Sequence, residues 1–286
     1  MTAEGEVDVD GTSCYECCAS CGIAEIDDIK LMECDGCDLV RYCSDECREN
    51  HTTEHHKACK KRAAELRDEL LFKVPESSPW GDCPICSLPL PLYPWKSGLY
   101  NCCSKKICNG CSHANQKREI ELRLQHTCPF CREPIPKTDE ECGKLRMKRI
   151  EMNDPVAITA EGAEQHEKGN YSEAIKYFTK AAELGDIEAH SRLAYMHQDG
   201  EGVEEDQGKE IYHLEKAAIG GHPHARYLLG RHEYNNNNNL DRAIKHTIIA
   251  ATQGHDEAIK TLMSMFKDGL MEKEVLAATL RAQRPQ

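Results

Sequence analysis

The sequence predicts a multidomain chain: two small metal-stapled α+β fingers, followed by an all-α helical-repeat solenoid. Three observations carry this. All 18 cysteines lie between Cys14 and Cys142, and residues 143–286 contain none. They fall into two clusters at metal-ligand spacing, in segments with too few large apolar side chains to fold unaided. The cysteine-free half instead repeats apolar residues, paired alanines and a glycine at helical spacing.

Charge narrows the partners. The chain carries 36 basic and 49 acidic residues, a net charge of −13. Residues 1–59 contribute −11, residues 60–79 +1, residues 80–153 +4 and residues 154–286 −7. Such a surface repels phosphate backbones and anionic lipid, so neither nucleic acid nor a membrane is an expected partner. No run of 18 apolar residues occurs, which argues against a membrane span. Residues 1–13 read as a disordered acidic tail without the basic and apolar regions of a secretory signal. The expected compartment is cytoplasmic or nuclear, where reduced thiols favour metal over disulfides.

The first cluster, within residues 14–59, reads Cys18-x2-Cys21, Cys34-x2-Cys37, Cys43-x3-Cys47 and His55-x3-Cys59. A C-x2-C turn lets two sulfurs reach one zinc ion, which takes four tetrahedral ligands, so eight ligands make two sites. Cys43 and Cys47 stand one helical turn apart, as do His55 and Cys59, which puts each pair on one helix face. Cys14-x2-Cys17 competes with Cys18 and Cys21 as the opening pair, and His56 competes with His55. The strings CASCG and MECDGCDLVRYCSDECRENHTTEHHKAC resemble the MYND-type zinc finger. That resemblance implies an interleaved ligand set: Cys18, Cys21, Cys43 and Cys47 for one ion, and Cys34, Cys37, His55 and Cys59 for the other. It also implies a module that binds short proline-containing peptides, although Thr52 replaces the family's usual tryptophan before the ligand histidine.

Residues 60–79 read as a helix, KKRAAELRDELLFKV, broken by a PESSPWGD linker. Beyond it, residues 80–136 hold Cys83-x2-Cys86, Cys102-Cys103, Cys108-x2-Cys111 and Cys128-x2-Cys131. This layout, ending in CPFC, resembles a RING finger. The family cross-brace implies one zinc on Cys83, Cys86, Cys108 and Cys111 and another on Cys102, Cys103, Cys128 and Cys131. Lys105 stands where the family has histidine, so Cys102 is needed as the fourth ligand, with His113 as the alternative. The resemblance further implies a surface for a ubiquitin-conjugating enzyme, built from Ile85, Pro129 and Arg132. Four zinc ions per chain are expected, and Cys14, Cys17 and Cys142 are left over. None of the three has an identifiable base to make it a nucleophile.

Residues 137–154 read as a second linker, and residues 155–286 as the repeats. YFTKAAELG, HLEKAAIGG and TIIAATQGH align at offsets of 36 and 33 residues. Ile175, Phe178, Ala181 and Ala182 share one helix face. Gly185, Gly221 and Gly254 stand where a left-handed cap must end a helix. Each unit is therefore helix, turn, helix, about four pairs in all, and the Asn run 235–239 is a loop. The pattern resembles the Sel-one-like repeat, a relative of the tetratricopeptide repeat, which implies a solenoid that binds proteins or peptides. The repeat histidines share no ligand spacing and read as scattered surface residues.

Together these readings anticipate a zinc-binding interaction protein. One form is a RING-type ubiquitin ligase or ligase adaptor, which recruits the conjugating enzyme through the second finger and substrates through the first finger and repeats. The other is a non-catalytic scaffold that binds peptides or proteins. Phosphate-loop, hydrolase-triad and metalloprotease motifs do not occur, nor does a segment resembling a SET-type methyltransferase.

Overall fold

The computed structural model describes residues 18–21, 23, 30–37, 40–75, 78–236 and 238–283. The tail expected over 1–13 and the thiols Cys14 and Cys17 lie outside the described residues. The chain divides into two units, Met1–Leu71 and Phe72–Gln286. Among the described residues no helix is long and apolar enough to cross a membrane.

In the first unit, β1 (Met32–Glu33) pairs antiparallel with β2 (Arg41–Tyr42). The turn between them opens with the C-x2-C of Cys34 and Cys37, closed by Cys37 N–H donating to Cys34 O at 3.2 Å. Helix α1 (Asp45–Leu71) follows, with Asp45 and Glu46 in the first turn, where the helix dipole favours negative charge. It has no glycine or proline in 27 residues, so the finger's last helix and the helix expected after residue 60 are one continuous element. Apart from Cys18 and Cys37, the buried core here is Leu31, Val40 and Tyr42.

The second unit opens with two knuckles of the same build around one hairpin. Strands β3 (Ser97–Tyr100) and β4 (Lys105–Cys108) pair antiparallel, Ser97 opposite Cys108, and helix α2 (Asn109–Glu121) leaves β4 directly. In the first knuckle Cys83 N–H donates to Leu88 O and Ser87 N–H to Cys83 O, both at 2.8 Å. In the last, Cys128 N–H donates to Glu133 O at 2.8 Å and Arg132 N–H to Cys128 O at 3.0 Å. Ser87 and Arg132 thus hold equivalent places, and both have left-handed backbone, φ 57° and 65°.

Residues 137–154, expected as a linker, contain helix α3 (Asp139–Glu151). The reason is side-chain capping of its N-terminus. Thr138 Oγ1 accepts from Glu141 N–H at 3.2 Å, while Glu141 Oε2 accepts from Lys137 N–H at 2.7 Å. Ile150 of α3 joins the repeat core. Eight helices follow: α4 (Pro155–Glu167), α5 (Tyr171–Glu183), α6 (Ile187–Asp199), α7 (Gln207–Ile219), α8 (Pro223–Asn235), α9 (Leu240–Thr252), α10 (Asp256–Lys267) and α11 (Lys273–Ala282). Neighbours pack antiparallel through the paired alanines. Ala181, Ala182, Ala217, Ala218, Ala250 and Ala251 are all buried, and small side chains let the helices approach closely. Gly185, Gly221 and Gly254 take φ of 86°, 93° and 91° just after their helices, the left-handed turn expected of them.

The histidines depart from the surface placement expected of them: His197, His222 and His246 are buried. His222 and His255 occupy the repeat position that Asp186 fills, the N-cap of the second helix of each pair. Nδ1 of His222 accepts from Ala225 N–H, and Nδ1 of His255 from Ala258 N–H, each at 3.2 Å. A neutral imidazole can cap a helix in this way; a protonated one cannot. His224 Nδ1 lies 2.9 Å from His255 Nε2, and His190 Nδ1 lies 3.0 Å from His213 Nδ1. Burial holds His213 down to about 4, reinforced by His190, His197 and Lys209. Burial likewise holds His224 to about 4, with His255, His222 and Arg231 adding and Glu188 opposing.

An unfolded histidine titrates near 6.5, so stability is complete above that pH and is lost as pH falls from about 6.5 towards 4, because only the unfolded chain takes up protons. Allowing for solvent screening at half-exposed His213, the repeats are expected to lose roughly 2–3 kcal/mol by pH 5. Thermal melts followed at 222 nm at pH 7.5 and pH 5 measure this. A double His213→Gln, His224→Gln variant should flatten the dependence, and a flat wild-type profile contradicts it.

Candidate metal centres

The structure gathers the sixteen expected ligands into four groups of four. Cys18, Cys21, Cys43 and Cys47 form the first, and Cys34, Cys37, His55 and Cys59 the second. Cys83, Cys86, Cys108 and Cys111 form the third, and Cys102, Cys103, Cys128 and Cys131 the fourth. Within each group the ligand atoms lie within 4.8 Å of one another. Both modules interleave their pairs, first with third and second with fourth.

Donor chemistry and spacing both fit zinc. Four sulfurs about 2.3 Å from one ion sit about 3.8 Å apart, and a sulfur–nitrogen edge is about 3.5 Å. The observed edges are 3.5 Å for Cys21–Cys43, 3.6 Å for Cys43–Cys47 and 3.6 Å for Cys34–Cys59. Cys37 Sγ to His55 Nε2 is 3.2 Å. In the second module Cys86–Cys108 is 3.9 Å, Cys103–Cys128 3.8 Å and Cys102–Cys131 3.3 Å. All fifteen thiols are free, and the separations far exceed the disulfide bond length of about 2.05 Å.

The local backbone explains each placement. Gly36 sits in the first module's turn because a Cβ there would come within 2.9 Å of Cys59 Sγ, filling the space beside the ligand. Helix α1 presents Cys47, His55 and Cys59 inward. His55 is buried and His56 exposed, so His55 is the residue at the site. The His51 ring stacks on His55 at 5.8 Å, and Tyr42 Oη lies 3.2 Å from His51 Nδ1, which orients the ligand ring. In the second module Cys102 and Cys103 sit in the tight turn between β3 and β4, where Cys103 N–H and Ser104 N–H both donate to Tyr100 O and Ser104 closes the turn at φ 54°. That turn lets adjacent cysteines serve one group, while Lys105 and His113 stay exposed. Cys142 lies on α3, outside the four groups.

Electrostatics show what such a cluster demands. Burial works to raise the Cys18 thiol, but backbone N–H groups of Cys21, Cys43 and Ser20 outweigh it and bring it to about 6. Cys83 reaches about 6 in the same way, against burial, through Cys108, Cys86 and Ile85. Their partners resist a second ionisation. Cys43 is pushed up to about 12 by Cys21 and Cys47, and Cys59 to about 12 by burial and then by Cys34 and Cys37. Burial and Cys131 raise Cys102 further still. One thiolate forms readily in such a cluster and four do not, unless a divalent cation neutralises them.

The residues anticipated as partner contacts separate. Ile85 is 45% exposed. Pro129 is buried, and Phe130 beside it, for which the sequence carries no partner signal, is 45% exposed. A proline inside the knuckle shapes its turn, which leaves Phe130 as the outward apolar residue. Arg132 is exposed but anchored: its Nη1 donates to Asn115 Oδ1 at 2.9 Å. Asn115 in turn donates to Glu119 Oε1 at 2.9 Å. Glu119 is buried, and Thr127 hydroxyl donation (2.7 Å) outweighs that burial, aided by His126 and Asn115, to hold its carboxyl near 2.

Residues 18–59 match the MYND finger family, and residues 160–186, 187–222 and 223–255 match the Sel1 repeat. Chitin synthase regulatory factor 4 of Schizosaccharomyces pombe is 29% identical over 102 residues. That stretch is 35% of this chain and 16% of the relative's own length. A crystal structure of a Sel1 repeat protein from Oxalobacter formigenes superposes with a TM-score of 0.47 at 23% identity, over 60% of this chain and 70% of that one. A protective antigen of uropathogenic Escherichia coli with an SLR fold gives 0.45 at 18% identity, over 60% and 37%. Residues 18–59 thus carry a MYND finger whose ligand groups suit zinc, and residues 160–255 carry Sel1 repeats.

Proposed function

We propose that residues 83–131 act as a RING-type finger and that the chain is a ubiquitin ligase or ligase adaptor. In this reading the finger engages a ubiquitin-conjugating enzyme, while the MYND finger and repeats take substrates or partners. The observation that carries it is the pair of outward apolar residues, Ile85 and Phe130, one on each equivalent knuckle, with Arg132 directly after the second. A finger of this kind does no covalent chemistry. It orients the enzyme's thioester, and catalysis comes from positioning. Arg132 suits that task because a planar guanidinium bonds two acceptors at once, and its anchor on Asn115 limits the rotamers it must surrender.

Auto-ubiquitylation with a panel of conjugating enzymes tests the reading. Ile85→Ala and Arg132→Ala should each lower the rate at least about tenfold, the effect of losing one well-packed contact. Wild-type inactivity across a broad panel, or activity indifferent to both changes, transfers the protein to the scaffold reading.

A further inference from the structure

Outside the sulfur clusters, the most varied set of side chains meets along one edge of the repeats, where α6, α8 and α10 begin. The capping residues Asp186, His222 and His255 recur there, one per repeat. Each successive position receives a side chain from residues 72–106. At the first, the Lys106 ammonium lies in the field of the Asp186 and Glu188 carboxylates. At the second, the Trp80 ring meets His222 edge-on at 5.4 Å, with Lys106 Nζ 3.7 Å from the ring centroid on the indole. Pro75 covers Gly221, its ring atoms 3.4 Å from where a Cβ would stand. At the third, Tyr93 Oη donates to Asp256. Phe72 packs on α9, 4.6 Å from the His246 ring and under the Arg242 guanidinium at 4.9 Å.

On β4, Lys106 points away from the face of the buried Ile107 and turns to Trp80, its Nζ over the ring. The glycine at 221, required by the turn, also leaves room for the proline. We propose that this edge is an interaction surface for an aromatic and cationic segment, and that Phe72, Pro75, Trp80, Tyr93 and Lys106 of the same chain occupy it. The second cysteine module is thereby carried on the repeats as one body, where the PESSPWGD segment was expected to be a linker. A partner of the repeats must use another face or displace this segment. The assignment is independent of whether the module acts as a ligase.

Hydrogen exchange on the full chain, with zinc counted by native mass spectrometry, tests it. Trp80→Ala combined with Lys106→Glu should speed exchange at least tenfold through 72–82 and at the 219–224 edge, with four zinc ions retained. Phe72→Ala, which lies outside the cysteine module, should do the same through 72–82. Unchanged exchange in both variants overturns the proposal. If the double variant loses zinc, its exchange reflects the module's own fold and Phe72→Ala decides: faster exchange through 72–82 with four zinc ions supports the clasp, and no change refutes it.

Discussion

Chelating the metal is expected to unfold both cysteine modules while the helices of residues 155–282 keep their far-UV signal. The second module shows why. Its buried core is Cys83, Leu90, Ile107 and Cys128, and two of those four are ligands. Burying two aliphatic side chains stabilises by only about 3–6 kcal/mol, far short of the cost of ordering some fifty residues at about 1 kcal/mol or more each. A structural zinc ion supplies about 10–16 kcal/mol, the right order for the deficit. The repeats hold no clustered thiols and bury Phe178, Leu193, Leu214, Leu229 and Leu262, so they need no such staple. Native mass spectrometry should count four zinc ions per chain, falling to three in Cys102→Ser and staying at four in His113→Ala. A chain that stays compact through residues 83–131 after chelation, with no metal in the native sample, removes the basis of this account.

What the sequence revealed and what it hid divide along the range of the interactions. C-x2-C turns and helical i, i+4 pairs are local, so all sixteen ligands could be grouped from spacing and family pattern. Gly185, Gly221 and Gly254 were legible for the same reason, since a left-handed turn after an apolar helix is a local demand. The N-terminal cap formed by Thr138 and Glu141 is equally local, but it lies in a segment whose composition reads as a linker. The contacts of Phe72, Trp80 and Tyr93 are different: their partners lie more than a hundred residues away, and no periodicity announces them. Nothing in the residues flanking Glu119 announces its burial. Its burial depends on Thr127 and His126 returning from the last knuckle to satisfy the carboxylate. The capping histidines hid because Asp186 fills the same place in the first repeat, which breaks any histidine spacing.

Phe178→Ala is expected to destabilise the repeats by about 3–5 kcal/mol, the usual cost of emptying a fully buried aromatic site. Phe178 is wholly buried among Ile150, Ile158 and the alanines of α4 to α6. Gly162 makes the expectation sharper. A Cβ at that position would lie 2.8 Å from Phe178 Cε1 and 3.2 Å from Tyr177 Cβ, so the glycine in mid-helix exists to admit the ring. Gly162→Ala alone gains about 1 kcal/mol of helix propensity but adds about 1–3 kcal/mol of overpacking, a net loss or near balance. Once Phe178 is alanine, the clash with the ring is gone, only the milder approach to Tyr177 Cβ remains, and the added methyl projects into the cavity. The double variant should then be more stable than Phe178→Ala by about 1–2 kcal/mol, a coupling of the size found for side chains in direct contact. Urea unfolding at neutral pH, read at 222 nm across the four proteins of the cycle, gives the value. Strict additivity would mean that Gly162 serves some purpose other than making room for the ring, because a shared space is the only route by which these two substitutions can know of each other.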